Sequence, residues 1–144
     1  MLIEIAEQLD REGLSPVYLG IPVVESNLDP YAVSRDGSAG LWQLQPRTAK
    51  AFKLKVSPQL DERLCPKKST QAAIKFIKYL KSQFGSDEFT IAGYQLGETK
   101  LRRILKRKKD LPEISRKYVL NVKNAYNKWK AVIDPLRQSQ PMAG

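Results

Sequence analysis

An apolar stripe at helical spacing is the feature of this 144-residue chain that most constrains its fold. Between Ser69 and Gly85, apolar side chains recur at steps of four, three and four residues, at Ala73, Ile77, Leu80 and Phe84. This period places them on one face of an α-helix. Ser69 favours a helix N-cap and Gly85 favours a helix end. We therefore predict a helix over residues 69–84 that buries one face.

Similar signals predict helices elsewhere in the chain, and no segment alternates apolar and polar residues between hairpin turns. The further helices are predicted to run from Ile3 to near Gly13 and over residues 16–27, 87–96 and 113–133. The sequence therefore predicts an all-α fold. It also predicts one domain over residues 1–134, followed by a flexible tail over residues 135–144.

The amino-acid composition excludes several kinds of catalytic site. The chain contains no histidine, which excludes Ser-His-Asp and Cys-His catalysis and histidine-based zinc sites. Its single cysteine, Cys65, excludes an internal disulfide and any metal site built from several cysteines. Acid–base chemistry near neutral pH is left to a tuned carboxylate, lysine or tyrosine.

Glu25 is the strongest candidate for that chemistry. It follows an apolar stretch, residues 21–24, at the predicted end of a helix, and a glycine-containing turn, residues 37–43, comes next. Burial against apolar residues and the partial negative charge of a helix C-terminus both raise the pKa of a carboxyl group. A carboxyl group protonated near neutral pH can donate a proton to a leaving oxygen. The alternative is a surface carboxylate, or one paired with Arg35 or Arg63.

Several short segments carry a resemblance to a known family. They include Pro22-Val23-Val24-Glu25-Ser26-Asn27-Leu28-Asp29-Pro30, Gly37-Ser38-Ala39-Gly40-Leu41-Trp42-Gln43-Leu44-Gln45-Pro46, Ala92-Gly93-Tyr94-Gln95-Leu96-Gly97 and Tyr118-Val119. In this order they resemble the catalytic domain of lytic transglycosylases, which cleave peptidoglycan and are related in fold to goose-type lysozyme. The Gly-Leu-Trp-Gln segment is most similar to the branch that includes membrane-bound transglycosylase D. The implied fold is a lysozyme-like domain with a glycan-binding cleft.

The resemblance also implies roles for individual residues. Glu25 would be the catalytic residue, and the substrate-binding residues would be Ser26, Gly40, Trp42, Gln43, Tyr94 and Gln95. Trp42 would form a wall of the glycan cleft, and the hydroxyl of Tyr94 would hold the carboxyl group of Glu25. The family usually has Ala-Tyr-Asn where this chain has Gly93-Tyr94-Gln95, so Gln95 is one methylene longer than the usual asparagine. The ordinary alternatives for these residues are a helix cap, a turn and core aromatic side chains.

The implied reaction breaks the bond between N-acetylmuramic acid and N-acetylglucosamine without metal or cofactor. Glu25 would protonate the bridging oxygen, the 2-acetamido group of the substrate would assist, and Glu25 would then deprotonate the C6 hydroxyl. The product would carry a 1,6-anhydro end. One alternative is a lysozyme-type hydrolase, in which water replaces the C6 hydroxyl. Another is a weakened peptidoglycan-binding module, which the change at Gln95 favours.

The chain carries a formal net charge of +10, and much of it comes from residues 100–109. This stretch is either a solvated helix face, with Leu101, Ile104 and Leu105 towards the core, or a surface that attracts an anionic polymer. Charge alone would also fit a nucleic-acid binder. No recognisable reader motif accompanies the charge, so we expect peptidoglycan strands as the partner and no nucleic acid.

Two further expectations concern location and assembly. No uninterrupted apolar run approaches twenty residues, so no transmembrane segment is expected. Residues 1–10 contain three acidic side chains and lack the layout of a signal peptide. The resemblance nevertheless implies action in the periplasm or cell envelope, and we expect a monomer.

Overall fold

Helices dominate the computed structural model, which describes residues 1–138. The described residues form seven α-helices and no strand: α1 (Leu2–Arg11), α2 (Gly20–Ser26), α3 (Pro46–Ala51), α4 (Pro66–Phe84), α5 (Asp87–Leu96), α6 (Glu98–Lys106) and α7 (Glu113–Gln138). Two short 3-10 helices, Pro16–Leu19 and Glu62–Leu64, precede α2 and α4. The predicted all-α fold is confirmed.

Helix α4 contains the predicted stripe but begins one turn earlier than predicted. Cys65 is its N-cap residue, and Pro66 occupies the first helical position, where a missing N–H costs little. Ser69 is therefore not the N-cap. It is buried inside the helix, and its hydroxyl donates to the carbonyl of Pro66 at 3.3 Å. The predicted end is observed at Gly85, whose φ is +84°.

Helix α7 continues beyond its predicted end and includes Pro135. Two contacts hold this extension against the rest of the fold: Ile133 is buried, and Arg137 forms an ion pair with Asp10 of α1. Residues 135–138 of the predicted tail are helical, and its remaining part, residues 139–144, lies outside the described residues.

A close helix crossing between α2 and α7 positions the end of α2. A Cβ atom on Gly20 would lie 2.0 Å from the carbonyl oxygen of Val122, so only glycine allows the two backbones to approach this closely. About one turn before Val122, Tyr118 lies beside Glu25 at the other end of α2. Helix α2 ends there, because Asn27 adopts a left-handed conformation with φ of +52°.

The buried side chains form one hydrophobic cluster to which most of the helices contribute. Its largest fully buried members include Leu9, Tyr18, Ile21, Trp42, Ile77, Ile91, Leu101 and Val122. Ile114, the second residue of α7, is 67% exposed. The hydrophobic cluster therefore supports the helices from one side and leaves their outer faces to solvent.

Residues 27–45, the cleft loop, connect α2 to α3 and are held from inside by Arg63. Arg63 is 6% exposed, and its guanidinium donates to the carbonyl oxygens of Gly37 at 2.7 Å and Leu44 at 2.8 Å. It also forms a salt bridge with Asp61 at 2.8 Å. A buried cation with its hydrogen bonds satisfied in this way fixes a loop that lacks regular secondary structure.

Candidate active site

A cavity of about 280 Å³ lies between the end of α2, the cleft loop, α4 and α5. We call it the cleft. Its lining residues are Glu25, Asp36, Ser38, Gln43, Leu44, Gln45, Thr48, Phe76, Tyr94, Gln95, Leu96 and Gly97. The only charged side chains in this lining belong to Glu25 and Asp36. A cleft with convergent polar groups and a carboxyl group is the expected form of a catalytic site.

Glu25 is half-buried in the cleft at the C-terminal end of α2. Burial raises the pKa of its carboxyl group, and the negative charge of Asp36 raises it further. The hydrogen bond from Tyr118 Oη to Glu25 Oε1, 2.8 Å long, acts in the opposite direction. The balance favours the protonated acid. The surface ion pair considered for Glu25 does not occur with Arg63, because that guanidinium binds Asp61.

Tyr118 is the functional residue that sequence reasoning placed least well. In the sequence it stands out only through the Tyr118-Val119 pair, which belongs to the family resemblance. In the structure it is half-buried and donates the hydrogen bond to Glu25 that was expected from Tyr94. Burial and the nearby charge of Glu25 hold the pKa of the Tyr118 hydroxyl well above its usual range. The hydroxyl therefore remains a donor at every physiological pH.

Tyr94 connects α5 to the cleft loop through its hydroxyl. The predicted hydrogen bond from this hydroxyl to Glu25 is wrong, because its proton is donated to the loop. Its hydroxyl donates to the carbonyl oxygen of Trp42 at 2.6 Å. Burial raises the pKa of Tyr94, and the negative charge of Glu25 raises it further. Tyr94 lines the cleft while holding the loop in place.

Trp42 and Gly40 support the cleft from behind. The indole of Trp42 is fully buried, and its N–H donates to Thr70 Oγ1 at 2.9 Å, so the side chain cannot form the predicted wall for a sugar. A Cβ atom on Gly40 would lie 1.9 Å from the carbonyl oxygen of Arg63, and its φ is +84°. Glycine is required there by the backbone of the protein itself.

The apolar wall of the cleft is supplied by Phe76 instead. Phe76 lies on α4, and its ring centroid is 5.4 Å from that of Tyr94. On its other side it contacts Phe52 at 5.5 Å. Phe76 was not predicted as a site residue, because on α4 it lies beside the stripe rather than in it. The aromatic pair of Phe76 and Tyr94 provides an apolar surface of the kind that packs against a ligand.

Ser26 and Gln43 connect the end of α2 and the cleft loop. The hydroxyl of Ser26 lies 3.0 Å from the carbonyl oxygen of Pro22 and 2.7 Å from that of Leu41. Gln43, with φ of +50°, donates from its amide nitrogen to the carbonyl oxygens of Ala32 at 3.0 Å and Gly40 at 2.9 Å. Both N–H groups of the Gln43 amide are therefore used, and its Oε1 is the atom left to meet a ligand.

Gln95 connects α5 to α7 as well as lining the cleft. Its Oε1 accepts a hydrogen bond from the hydroxyl of Ser115 at 2.8 Å, and Ser115 is fully buried. The extra methylene of glutamine, compared with the family's usual asparagine, lets the amide reach this hydroxyl. The amide nitrogen of Gln95 remains as a donor for a ligand.

The cleft thus brings together Glu25, Gln43, Tyr94 and Gln95 of the predicted residues, whereas Ser26, Gly40 and Trp42 hold its frame. Over residues 1–138, no three acidic or cysteine side chains cluster in a way that would hold a metal ion. No helix in the same part of the chain has both the length and the apolar character needed to cross a membrane.

Sequence comparison identifies relatives of this chain. The transglycosylase SLT domain family matches residues 3–117. A putative tributyltin chloride resistance protein of Alteromonas sp. is 37% identical over 106 residues, which are 72% of this chain and 51% of that protein. Membrane-bound lytic murein transglycosylase D of Escherichia coli is 33% identical over 106 residues, 73% of this chain and 24% of that protein. This chain therefore spans about half and about a quarter of these relatives.

Solved structures share the fold. The 70-kDa soluble lytic transglycosylase of Escherichia coli superimposes with a TM-score of 0.74 and 23% identity, over 90% of this chain and 24% of that chain. Lytic transglycosylase Slt of Pseudomonas aeruginosa, solved as an inactive mutant, gives a TM-score of 0.72 and 23% identity over 95% of this chain and 24% of that chain. The helical fold built around the cleft is a lysozyme-like transglycosylase fold, and the chain belongs to the transglycosylase SLT domain family.

Proposed function

We propose that this chain is a peptidoglycan lytic transglycosylase domain that uses Glu25 as its single general acid and base. It cleaves the β-1,4 bond between N-acetylmuramic acid and N-acetylglucosamine and leaves a 1,6-anhydro end on the muramic acid. The observation that carries this proposal is the state of Glu25. Its carboxyl group is half-buried in the cleft, has a raised pKa and is held at one oxygen by Tyr118.

In the first step Glu25 acts as an acid. Its Oε1 accepts the hydrogen bond from Tyr118, so Oε2 carries the proton towards the bridging oxygen of the glycan. The raised pKa favours the protonated form of this acid, and transfer of its proton stabilises the departing N-acetylglucosamine. The 2-acetamido oxygen of the muramic acid attacks C1 as the bond breaks, which gives an oxazolinium intermediate.

In the second step Glu25 acts as a base. The carboxylate takes the proton from the C6 hydroxyl of the same sugar, O6 attacks C1, and the acetamido group is released. The carboxyl group is thereby protonated again, and no water is consumed. The hydrogen bond from Tyr118 stabilises the ionised form of Glu25 between the two steps.

A second carboxylate is not needed as a nucleophile. Retaining glycosidases with two carboxylates place them roughly 5 Å apart at the reacting carbon. Asp36 shares the cleft with Glu25, but it lies on the exposed rim, and one of its oxygens accepts hydrogen bonds from Ser34 and Ser38. We therefore assign the nucleophilic role to the acetamido group of the substrate.

The remaining cleft residues bind the glycan strand. The Oε1 of Gln43 and the amide nitrogen of Gln95 are an acceptor and a donor for sugar hydroxyls or acetamido groups, and the rings of Phe76 and Tyr94 pack against an apolar sugar face. The substrate places the domain in the periplasm or cell envelope, where it works as a monomer. Membrane-bound lytic murein transglycosylase D, a relative by sequence, supports that location.

The test is mass spectrometry of the soluble products released from purified peptidoglycan by the native protein and by Glu25→Gln. Products with 1,6-anhydro ends are expected from the native protein and not from the variant. The matched control is Glu88→Gln, because Glu88 is an exposed glutamate outside the cleft. Reducing ends would identify a lysozyme-type hydrolase instead. A peptidoglycan-binding module would release no products, and retained activity in Glu25→Gln would overturn the role of Glu25.

A further inference from the structure

The charge of the cleft is opposite to that of the chain as a whole. The chain carries a net charge of +10, yet the two charged side chains that line the cleft are both acidic. Glu25 is half-buried and Asp36 is exposed at the rim. Because Glu25 is protonated in the proposed reaction, the fixed charge of the cleft is that of Asp36, which attracts groups of the opposite sign. The cleft is therefore suited to a substrate that presents a positive group near its rim.

Asp36 is held in one orientation and ionised. Its Oδ1 accepts hydrogen bonds from the hydroxyl of Ser34 and, at 3.1 Å, from the backbone N–H of Ser38. These bonds lower the pKa of Asp36, with the Ser34 bond contributing most. Both bonds end on Oδ1, so Oδ2 is the oxygen that a ligand in the cleft can reach.

We propose that Asp36 is a specificity-determining residue that binds a primary ammonium group of the peptidoglycan substrate. The proposal rests on the proposed function and names a feature of the substrate that the same cleft selects. An ammonium group that meets Oδ2 would form a charge-assisted hydrogen bond with a fixed carboxylate. Peptidoglycan presents such amines in two places, on glucosamine that has lost its acetyl group and on the diamino acid of a stem peptide.

The position of the amine is limited by the reaction. The acetamido group of the reacting muramic acid must be intact, because it is the nucleophile of the first step. The amine therefore belongs to a glucosamine unit or to a stem peptide, and not to the sugar that forms the anhydro end. A carboxylate at the rim rather than beside Glu25 fits this requirement.

A single substitution separates the charge of Asp36 from its role in the loop. Asp36→Asn keeps an Oδ1 that accepts from Ser38, so the turn is retained while the charge is lost. Loss of this charge also lowers the pKa of Glu25, but that effect changes turnover of every substrate alike. A ratio between two substrates is therefore the informative quantity. Asp110→Asn is the matched control, because Asp110 is an exposed aspartate outside the cleft.

The experiment compares kcat/KM for fully N-acetylated peptidoglycan and for the same material treated with an N-acetylglucosamine deacetylase. Each is used with and without stem peptides, which an amidase removes. The native protein and Asp110→Asn are expected to prefer amine-bearing substrate by about fivefold, and Asp36→Asn to lose that preference. A preference for deacetylated over acetylated glycan assigns the amine to glucosamine, and a preference for glycan with stem peptides over amidase-treated glycan assigns it to the stem peptide. Equality of both ratios between native protein and Asp36→Asn would overturn the proposal.

Binding measurements separate this proposal from the catalytic one. Co-sedimentation of Glu25→Gln with the same four polymers reports the amine preference without turnover, and Glu25→Gln combined with Asp36→Asn tests its dependence on charge. An Asp36-dependent binding preference, together with no product release by the native protein, would support the ammonium site and contradict the transglycosylase. Turnover by the native protein, with no effect of Asp36→Asn on either ratio, would support the transglycosylase and contradict the ammonium site.

Discussion

Tyr118 and Glu25 are 93 residues apart in the chain, yet the hydroxyl of Tyr118 lies 2.8 Å from Oε1 of Glu25. The contact depends on the crossing of α2 and α7, where Gly20 lets the two backbones meet at Val122. It determines which carboxyl oxygen carries the proton and opposes the effect of burial on the pKa of Glu25. The helix crossing thus positions the hydroxyl that contacts the proposed catalytic acid.

Tyr118→Phe should lower kcat by about tenfold, because a hydrogen bond to an ionised group is lost and the carboxyl group is no longer held in one orientation. The bond from Tyr118 lowers the pKa of Glu25, so its removal raises that pKa. The alkaline limb of the pH profile of kcat/KM should therefore move to higher pH. Tyr126→Phe, at a half-buried tyrosine of the same helix, is the control. An unchanged alkaline limb in Tyr118→Phe would contradict this assignment.

Glu25→Gln should stabilise the protein at high pH more than at low pH. The pKa of Glu25 in the folded protein is raised above its ordinary value of 4.5, so the stability of the protonated form is present below that value and is lost as pH rises through the folded pKa. Glutamine is neutral throughout. The difference in Tm between variant and native protein should grow by about 2–4 °C from pH 4 to pH 8. Calorimetry with Glu88→Gln as control tests this, and a constant difference would count against a raised pKa.

Two glycines of the cleft loop should respond very differently to alanine. Gly40→Ala places a Cβ atom against the carbonyl oxygen of Arg63 and should cost more than about 3 kcal/mol of unfolding free energy. Gly37 has nearly the same φ, +88°, but open space around it, so Gly37→Ala should cost only about 1 kcal/mol. Urea titration measures both. Similar values for the two variants would show that the close approach of Gly40 to Arg63 is unimportant.

Substitutions at Trp42 and Phe76 should separate effects on stability from effects on substrate binding. Trp42→Phe removes the donor to Thr70 and leaves a small cavity, which should cost about 2 kcal/mol of stability with little change in KM. Phe76→Leu removes the ring that contacts Tyr94 and should raise KM by about threefold with a smaller loss of stability. Paired measurements of Tm and KM test the assignment. A raised KM in Trp42→Phe alone would restore Trp42 as the cleft wall.

The hydrogen bond between Gln95 and Ser115 should appear as a coupling energy in a double-mutant cycle of unfolding free energies. Gln95→Asn shortens the side chain and breaks the 2.8 Å hydrogen bond, which leaves a buried hydroxyl without its acceptor. Ser115→Ala removes that hydroxyl. The double mutant should therefore be more stable than the sum of the two single losses predicts, by about 1 kcal/mol. Strict additivity would mean that the longer amide at position 95 has no structural role.

The helix interiors were predictable because their signals are local. The stripe of α4 and the helix ends at Gly85 and Gly97 follow from spacing and from the conformational freedom of glycine. The end of α7 was not predictable in this way. The last turns of α7 include an ion pair between Arg137 and Asp10, whose partners lie at opposite ends of the described chain and leave no local signal.

The candidate site was predictable in part for the same reason. Glu25 could be proposed from its neighbours in sequence, because an apolar stretch and a glycine turn surround it. The roles of Tyr94 and Trp42 could not, since the acceptor for Tyr94 is a backbone carbonyl and the partner of Trp42 is a threonine 28 residues away. A carbonyl acceptor has no sequence signature, because every residue provides one.

Arg63 also binds backbone carbonyl oxygens, which every residue provides. Its guanidinium holds the cleft loop through the carbonyl oxygens of Gly37 and Leu44, and the identity of the side chains along the outer part of the loop does not enter these bonds. The exposed side chain of Val33 can therefore change while the loop keeps its shape. A loop pinned through its backbone tolerates a new outer side chain at such a position without disturbing the carboxyl group of Glu25.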